Sequence, residues 1–281
     1  MRLAEWIHSA AEELAEAGVD SPRLDAQILA AHALGRDRSW VLSHPEESVA
    51  DSGLSSLLRR RLNREPLAYI TGKREFYGRE FFVDPDVLVP RQETEFVVER
   101  AKLWMHGGGD WTVLDVGTGS GCIGITLALE CPGCRVTLLD KSMNALRVAS
   151  KNADALEARI DQFVHSDLFH KLPKRRYQLV VSNPPYVAHA DDLPPEVRDF
   201  EPHDALFADA NGLAMYRRLA AETYLATGCE ALIVEIGMGQ QPAVEAVFAE
   251  YGWQLVDAMC DLGRIVRTLT FIPADVVGRL S

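Results

Sequence analysis

The chain of 281 residues contains no apolar run of about 18 residues, the length that a membrane-spanning helix needs. Its first residues, Met1–Trp6, include an acidic side chain where a signal peptide would be apolar. We therefore expect a cytoplasmic protein with no membrane segment. Cysteine is also scarce, because the five present are an odd number and thinly spread. This usage excludes a disulfide scaffold of the secreted type.

Basic side chains are outnumbered, with 29 Lys and Arg against 41 Asp and Glu and a formal net charge of −12. Such a balance disfavours any function that depends on a broad phosphate-neutralising surface, so we expect no stable binding of nucleic acid. One basic run, Arg59-Arg60-Arg61 with Arg64, lies on a predicted helix. It is typical of a solvated helix face, although it could also contact a protein or RNA partner.

Metal ligands are equally sparse. The segment Cys131-Pro132-Gly133-Cys134 has the spacing of a redox motif or of half a zinc site. No second Cys/His pair stands at finger-like spacing to complete four ligands, so we expect no metal. The proline and glycine favour a plain turn between a helix and a strand.

The order of predicted elements divides the chain into three parts. Residues 1–72 read as an all-helical domain that binds substrate, and 73–86 as a β-hairpin linker around Gly78. From 87 to 281, short β-branched runs alternate with helices of 10–16 residues. This alternation predicts an α/β fold with a doubly wound, mainly parallel sheet.

The first predicted strand of that sheet ends in a glycine-rich turn, Gly117-Thr118-Gly119-Ser120-Gly121. Glycines let a ligand approach the main-chain N–H groups at a helix start. The glycine-rich turn and the residues around it fit the binding motifs of two cofactors. Residues 119–124 match the dinucleotide pattern GxGxxG, which alone is weak evidence, whereas Asp115 followed by the glycines matches the turn of S-adenosylmethionine (SAM) methyltransferases.

Acidic residues also follow the next two predicted strands. Asp140 stands at the end of the second strand, where either cofactor needs an acceptor for ribose hydroxyls. Asp167 follows the third strand and could accept from an adenine amino group, with Leu168 against the ring face. The alternative for Asp167 is a helix cap or turn.

The segment Asn183-Pro184-Pro185-Tyr186 decides between the two cofactors. It follows the fourth predicted strand, where open α/β sheets place ligands. The prolines fix the backbone and cannot donate, so nearby carbonyls stay free as acceptors. With the amide of Asn183 and the ring of Tyr186, they suit a planar substrate that bears an NH₂ group. Such a site favours methyl transfer to nitrogen and leaves a nicotinamide enzyme unsupported.

With these segments in order, the chain resembles the class I SAM-dependent amino-methyltransferases that carry the Asn-Pro-Pro-Tyr motif. Within them it is similar to the release factor glutamine methyltransferases of the PrmC/HemK family. The resemblance implies a Rossmann-like domain that uses SAM, yields S-adenosylhomocysteine, and methylates the glutamine amide in the Gly-Gly-Gln loop of class 1 peptide chain release factors, tuning translation termination.

The resemblance also implies site roles. SAM would be bound by the glycine turn, Asp140, Asp167, Leu168 and Asn183, and the glutamine amide would be held by Asn183, Pro184, Pro185 and Tyr186. Arg91 and Glu93 would lie on a loop near the active site, with helix capping or surface ion pairing as the alternative. Gln92 between them departs from the proline usual in the family.

Three other functions stay open. The first is methylation of the adenine amino group in DNA or RNA, since adenine also presents a planar NH₂, although the acidic total argues against it. The second is methylation of a glutamine in another protein, such as a ribosomal protein. The third is a non-catalytic binder that keeps the fold.

Overall fold

The computed structural model describes residues 1–50, 53–106 and 109–274. The described residues up to Thr71 form helices and their connections, and the later helices lie between strands. The helices are α1 (Leu3–Glu16), α2 (Pro22–Leu34), α3 (Arg38–Ser43), α4 (Leu54–Leu62), α5 (Leu67–Thr71), α6 (Glu95–Trp104), α7 (Cys122–Glu130), α8 (Met143–Ala155), α9 (Pro195–Phe200), α10 (His203–Leu206), α11 (Asp209–Gly212), α12 (Ala214–Thr227) and α13 (Gln241–Glu250). None of the helices within the described ranges is both long and apolar enough to cross a membrane.

The strands form a hairpin and one large sheet. They are β1 (Lys73–Phe76), β2 (Arg79–Phe82), β3 (Thr112–Val116), β4 (Arg135–Asp140), β5 (Gln162–His165), β6 (Leu179–Ser182), β7 (Ala231–Glu235), β8 (Trp253–Cys260) and β9 (Val266–Pro273). β1 pairs with β2, and the described part of the sheet has the order β5-β4-β3-β6-β7-β9-β8. Pairing is parallel from β5 to β7 and antiparallel for β9 and β8. The predicted doubly wound, mainly parallel sheet is confirmed.

The chain divides into two compact units. The first comprises Met1–Lys73 together with Leu193–Phe200, and the second comprises Arg74–Asp192 with the described residues from Glu201 onward. The return of residues 193–200 to the first unit has no signal in the sequence. The three-part assignment of functions to residues 1–72, 73–86 and 87–281 stays a prediction.

Ion pairs within the first unit use most of the basic run. Arg60 Nε donates to Glu65 Oε2 at 2.7 Å, and Arg61 Nε donates to Asp25 Oδ2 at 2.7 Å. Arg64 binds Glu196 of α9 at 2.7 Å. Asp25 is buried, and burial raises the pKa of its carboxyl despite the arginine. The interpretation of this run as a solvated face is therefore wrong for Arg61 and Arg64, whose side chains are 8% and 19% exposed and hold neighbouring segments of their own unit, whereas the side chain of Arg60 remains 41% exposed.

The second unit buries its sheet on both faces. All residues of β3, β6 and β7 are buried, which is the pattern of parallel strands covered by helices on each side. One core contains Val97, Ile125 and Ala149 from α6, α7 and α8. The opposite core contains Leu219 from α12 and Val244 from α13.

The chain order of the strands reverses between β3 and β6. From β3 the sheet grows outward through β4 and β5, and it then resumes at β6 and grows the other way through β7. The carboxyl ends of β3 and β6 therefore border the crevice in which such sheets bind ligands. The glycine turn and Asn183 follow these two strands directly.

Candidate active site

The glycine turn after β3 is fixed to the end of β4. The N–H groups of Gly117 and Thr118 both donate to the carbonyl oxygen of Leu139, at 2.9 and 3.0 Å. Gly117, Gly119 and Gly121 have φ values of 71°, 55° and 83°, a left-handed region that side chains with a Cβ avoid. The alternation of glycines therefore follows from the backbone that the turn needs.

Asp115, within β3, stabilises the glycine turn through its side chain. Its Oδ2 accepts from Thr118 Oγ1 at 2.6 Å and from the N–H of Gly124 at 3.0 Å. The side chain is fully buried, and burial raises the pKa of its carboxyl to about 7. By these two hydrogen bonds, Asp115 stabilises the glycine turn and the start of α7.

Asp140 connects the same turn to the next helix. Its Oδ2 accepts from the N–H of Gly119 at 2.9 Å, and its Oδ1 accepts from the N–H of Ser142 at 2.8 Å. Burial raises the pKa of this carboxyl. Each carboxylate oxygen can accept a second hydrogen bond, so Asp140 can still bind hydroxyl groups of a ligand.

A cavity of about 330 Å³ lies at the carboxyl ends of these strands, within the size range of small-molecule sites. Most of the predicted cofactor and amide residues line it, and the structure thus brings them together. They are Gly117, Thr118, Gly119, Ser120, Asp140, Asp167, Leu168, Asn183, Pro184 and Pro185. Gly121 is the N-cap residue of α7 and is not among the residues that line the cavity.

Asp167 and Leu168 line the cavity differently. Asp167 is exposed and accepts from Arg218 Nη1 at 2.9 Å, and this guanidinium lowers the pKa of the carboxyl. Leu168 is buried and has a φ of 45°, so the backbone turns sharply after Asp167. Asp167 thus presents a charged acceptor and Leu168 an apolar surface.

The side chain of Asn183 is oriented by a hydrogen bond. Its Nδ2 donates to Thr94 Oγ1 at 3.2 Å. Thr94 is also close enough to Glu235 to lower the pKa of its carboxyl, against the larger effect of burial. Because Nδ2 is engaged with Thr94, Oδ1 of Asn183 remains as the acceptor for a ligand. Among the described residues, no hydrogen bond is made to the carbonyl oxygens of Asn183 and Pro184.

Tyr186 does not line the cavity. Its hydroxyl donates to Glu235 Oε1 at 3.2 Å, and its carbonyl oxygen accepts from Gln240 Nε2 at 2.9 Å. A Cβ placed on Gly237 would lie 3.2 Å from the ring, so the ring packs closely on this backbone. The half-buried tyrosine therefore supports the loop, and its predicted stacking on a substrate stays a prediction.

Arg91 and Glu93 also lie outside the cavity wall, although their neighbours Pro90 and Thr94 line it. Arg91 Nη2 donates to the buried Glu201 at 2.6 Å, and Glu93 lies 3.7 Å from Arg267. Ion pairing, the alternative that the sequence left open, is present at both positions. A substrate role for either residue stays a prediction.

Sequence reasoning assigned no role to Thr94 or Glu235. Glu235 ends β7 and is fully buried, and burial raises the pKa of its carboxyl to about 7. The available signal was position, since Glu235 ends its strand as Asp140 ends β4. Thr94 carried no comparable signal, because its contact with Asn183 spans 89 positions of sequence.

Comparisons with known proteins agree with this architecture. Residues 5–72 match the PrmC N-terminal domain, and residues 101–200 match the methyltransferase small domain. The release factor glutamine methyltransferase of Koribacter versatilis is 40% identical over 287 residues, which cover 99% of each chain. That of Bordetella pertussis is 42% identical over 261 residues, covering 90% of this chain and 95% of the relative.

Among solved structures, a methyltransferase from Pyrococcus furiosus superposes with a TM-score of 0.53 at 14% identity, covering 78% of this chain and 98% of that one. This likeness concerns the fold alone. On the sequence matches over nearly its whole length, the chain belongs to the family of release factor glutamine methyltransferases.

Proposed function

We propose that this protein transfers the methyl group of SAM to the side-chain amide nitrogen of the glutamine in the Gly-Gly-Gln loop of class 1 peptide chain release factors. S-adenosylhomocysteine is the second product. The observation that carries the proposal is the pair of acceptors at one cavity wall, Oδ1 of Asn183 and the carbonyl oxygen of Pro184. Two acceptors suit the two hydrogens of a primary amide.

The residues around the cavity fit SAM. Backbone groups of Gly117–Gly121 would hold the amino-acid part, Asp140 would accept from the ribose hydroxyls, and Asp167 with Leu168 would receive the adenine; all of these except Gly121 line the cavity. Bound SAM supplies an electrophilic methyl group on its sulfonium. The negative charge of Asp140, together with that of Asp167, favours a cationic cofactor.

The amide nitrogen is a poor nucleophile because its lone pair is delocalised into the carbonyl group. As the nitrogen attacks, positive charge builds on it, and its hydrogen bonds to Asn183 and Pro184 strengthen. A hydrogen bond that gains charge in this way contributes about 1.5–3 kcal/mol. The acceptors therefore stabilise the transition state more than the ground state, which is the requirement for catalysis. The rigid diproline backbone aligns the nitrogen with the methyl group.

Arg91 and Glu93 belong to this proposal as contacts of the substrate at the rim, since they lie between two residues of the cavity wall. We also assign substrate recognition to the helical residues 1–72. The release factor is accordingly the expected partner, and the cytoplasm, where translation terminates, is the expected compartment.

Transfer of labelled methyl groups tests the proposal. The protein is incubated with labelled SAM and, in separate reactions, with a release factor, with the same factor after its loop glutamine is replaced, and with duplex or single-stranded nucleic acid. We expect label in the intact release factor only. Label in nucleic acid alone would establish the adenine alternative, and equal label in both release factors would place the reaction at another residue.

A further inference from the structure

The segment Cys131-Pro132-Gly133-Cys134 connects α7 to β4 through a tight turn. The N–H of Cys134 donates to the carbonyl oxygen of Cys131 at 3.0 Å, and Gly133 has a φ of 106°. Proline at the second position and a left-handed glycine at the third are typical of a type II β-turn. The turn thus brings its first and last residues, the two cysteines, side by side.

The turn holds the two thiols near each other. The Cys134 thiol lies 3.8 Å from Met105 Sδ and 3.8 Å from the carbonyl oxygen of Gly109, both of which can accept its S–H. A β-turn keeps its end Cα atoms within about 7 Å, and a disulfide needs a Cα separation of roughly 4.4–6.8 Å. Closure of an S–S bond therefore requires little movement of the backbone.

The two sulfurs differ in access and in acidity. Cys131 is fully buried, whereas Cys134 is partly exposed, with its Sγ 3.8 Å from Met105 Sδ. The neighbouring Cys134 thiol lowers the pKa of Cys131, with a smaller effect from the Lys102 ammonium, whereas the pKa of Cys134 is raised by Cys131 and by burial. The thiolate that disulfide exchange requires therefore forms at Cys131, while Cys134 holds the proton.

We propose that Cys131 and Cys134 are a redox-active pair that closes to an intramolecular disulfide on reaction with a small disulfide such as oxidised glutathione. The proposal is independent of the methyl-transfer function. The pair lies at the start of β4, whereas Asp140 ends the same strand. The pair therefore lies at the end of β4 opposite to the cavity, next to Met105 and Gly109.

The reaction proceeds in two exchanges. As the partly exposed Cys134 attacks one sulfur of oxidised glutathione, its proton passes to the Cys131 thiolate; a mixed disulfide forms and one glutathione thiolate is released. Cys131 then attacks the Cys134 sulfur, forms the intramolecular S–S bond and releases the second glutathione. The two cysteines are oxidised by two electrons, glutathione disulfide is reduced by two electrons, and the two thiol protons pass to the two glutathiones.

Mass spectrometry of the full-length protein tests the pair. After incubation with oxidised glutathione, we expect the intact mass to fall by two hydrogen atoms without a retained glutathione. Free thiols are then alkylated, the protein is reduced, and the newly released thiols receive a second label. We expect the second label at Cys131 and Cys134, with the first label on Cys122, Cys229 and Cys260.

Single variants separate the roles of the sulfurs. Cys131→Ser should trap glutathione on Cys134, whereas Cys134→Ser should leave Cys131 unmodified because it is buried. Cys260→Ser, at an exposed cysteine outside the turn, is the matched control and should form the disulfide as the native protein does. A native protein that keeps both thiols free, or that retains glutathione on Cys134, would overturn the proposal.

Discussion

Replacing Thr94 by valine removes a hydroxyl while nearly preserving side-chain volume. Thr94 accepts from Asn183 Nδ2 at 3.2 Å, so the change frees the Asn183 amide to rotate. One lost neutral hydrogen bond costs about 1 kcal/mol, and misorientation of Oδ1 adds a similar amount. We expect kcat for methyl transfer to fall by roughly 5–30-fold, the rate equivalent of about 1–2 kcal/mol.

The assay combines steady-state transfer from labelled SAM to a release factor with calorimetric titration of SAM. The affinity for SAM should change by less than about threefold, which is below 1 kcal/mol. Thr94→Ser keeps the hydroxyl and should retain most of the native kcat, and Thr71→Val, whose hydroxyl bonds its own helix, is the matched control. A native kcat in Thr94→Val, or an equal loss in Thr94→Ser, would refute the orienting role.

Three further predictions concern the same site. Burial raises the pKa of Glu235 from 4.5 to about 7, so the stability due to its proton is present below pH 4.5 and is lost as pH rises to 7. Between pH 4 and 8, the free energy of unfolding of Glu235→Gln, measured in urea, should therefore rise by about 3 kcal/mol relative to that of the native protein. Glu16→Gln is the exposed control. A difference between variant and native protein that stays constant with pH would contradict this prediction. A Cβ on Gly212 would lie 2.2 Å from the Tyr186 carbonyl oxygen, so Gly212→Ala should lower methyl transfer. Gly252→Ala, also at positive φ but with open space around the Cβ, is the control and should lower only the melting temperature. Equal methyl-transfer activities of the two variants would be inconsistent with a packed loop at Tyr186. Asp140→Asn should weaken SAM binding by roughly 10–100-fold in calorimetry, since a charge-assisted bond contributes about 1.5–3 kcal/mol, and an unchanged affinity would remove Asp140 from the cofactor site.

Periodicity and turn chemistry were sufficient to predict the large elements. The helices and short β-branched runs predicted to alternate after residue 87 include α8 (Met143–Ala155) and β7 (Ala231–Glu235). Short elements set by tertiary contacts were not predicted. The five-residue helix α5 is an example: it is too short for a periodic pattern, and its Tyr69 and Ile70 are buried. A helical pattern over 51–63 begins at Asp51, which lies outside the described residues, and α4 begins at Leu54.

The chain between Tyr186 and Leu213 was beyond sequence reasoning for a physical reason. Its short helices α9, α10 and α11 have too few residues for a periodic pattern. This part of the chain is held by distant partners, as when Arg64 binds Glu196 in α9 and Arg91 binds Glu201 directly after α9. Pairings across such sequence distances leave no local signature.

The same distinction holds for the site. Residues that follow a strand directly, such as Asp140 and Asn183, could be placed from the sequence because parallel strands end at one edge of the sheet. The hydrogen-bond partners of these residues could not be predicted. The hydroxyl of Tyr186 donates to Glu235, an acid to which the sequence analysis assigned no role.

Asn183→Ala tests most directly whether the acceptor pair at the cavity wall performs the chemistry. Transfer to the release factor and affinity for SAM are measured on the same preparation. We expect methyl transfer to be abolished while the SAM dissociation constant stays within about tenfold, or roughly 1.4 kcal/mol, of the native value. Transfer that continues at the native rate, or a loss fully explained by failure to bind SAM, would contradict the account.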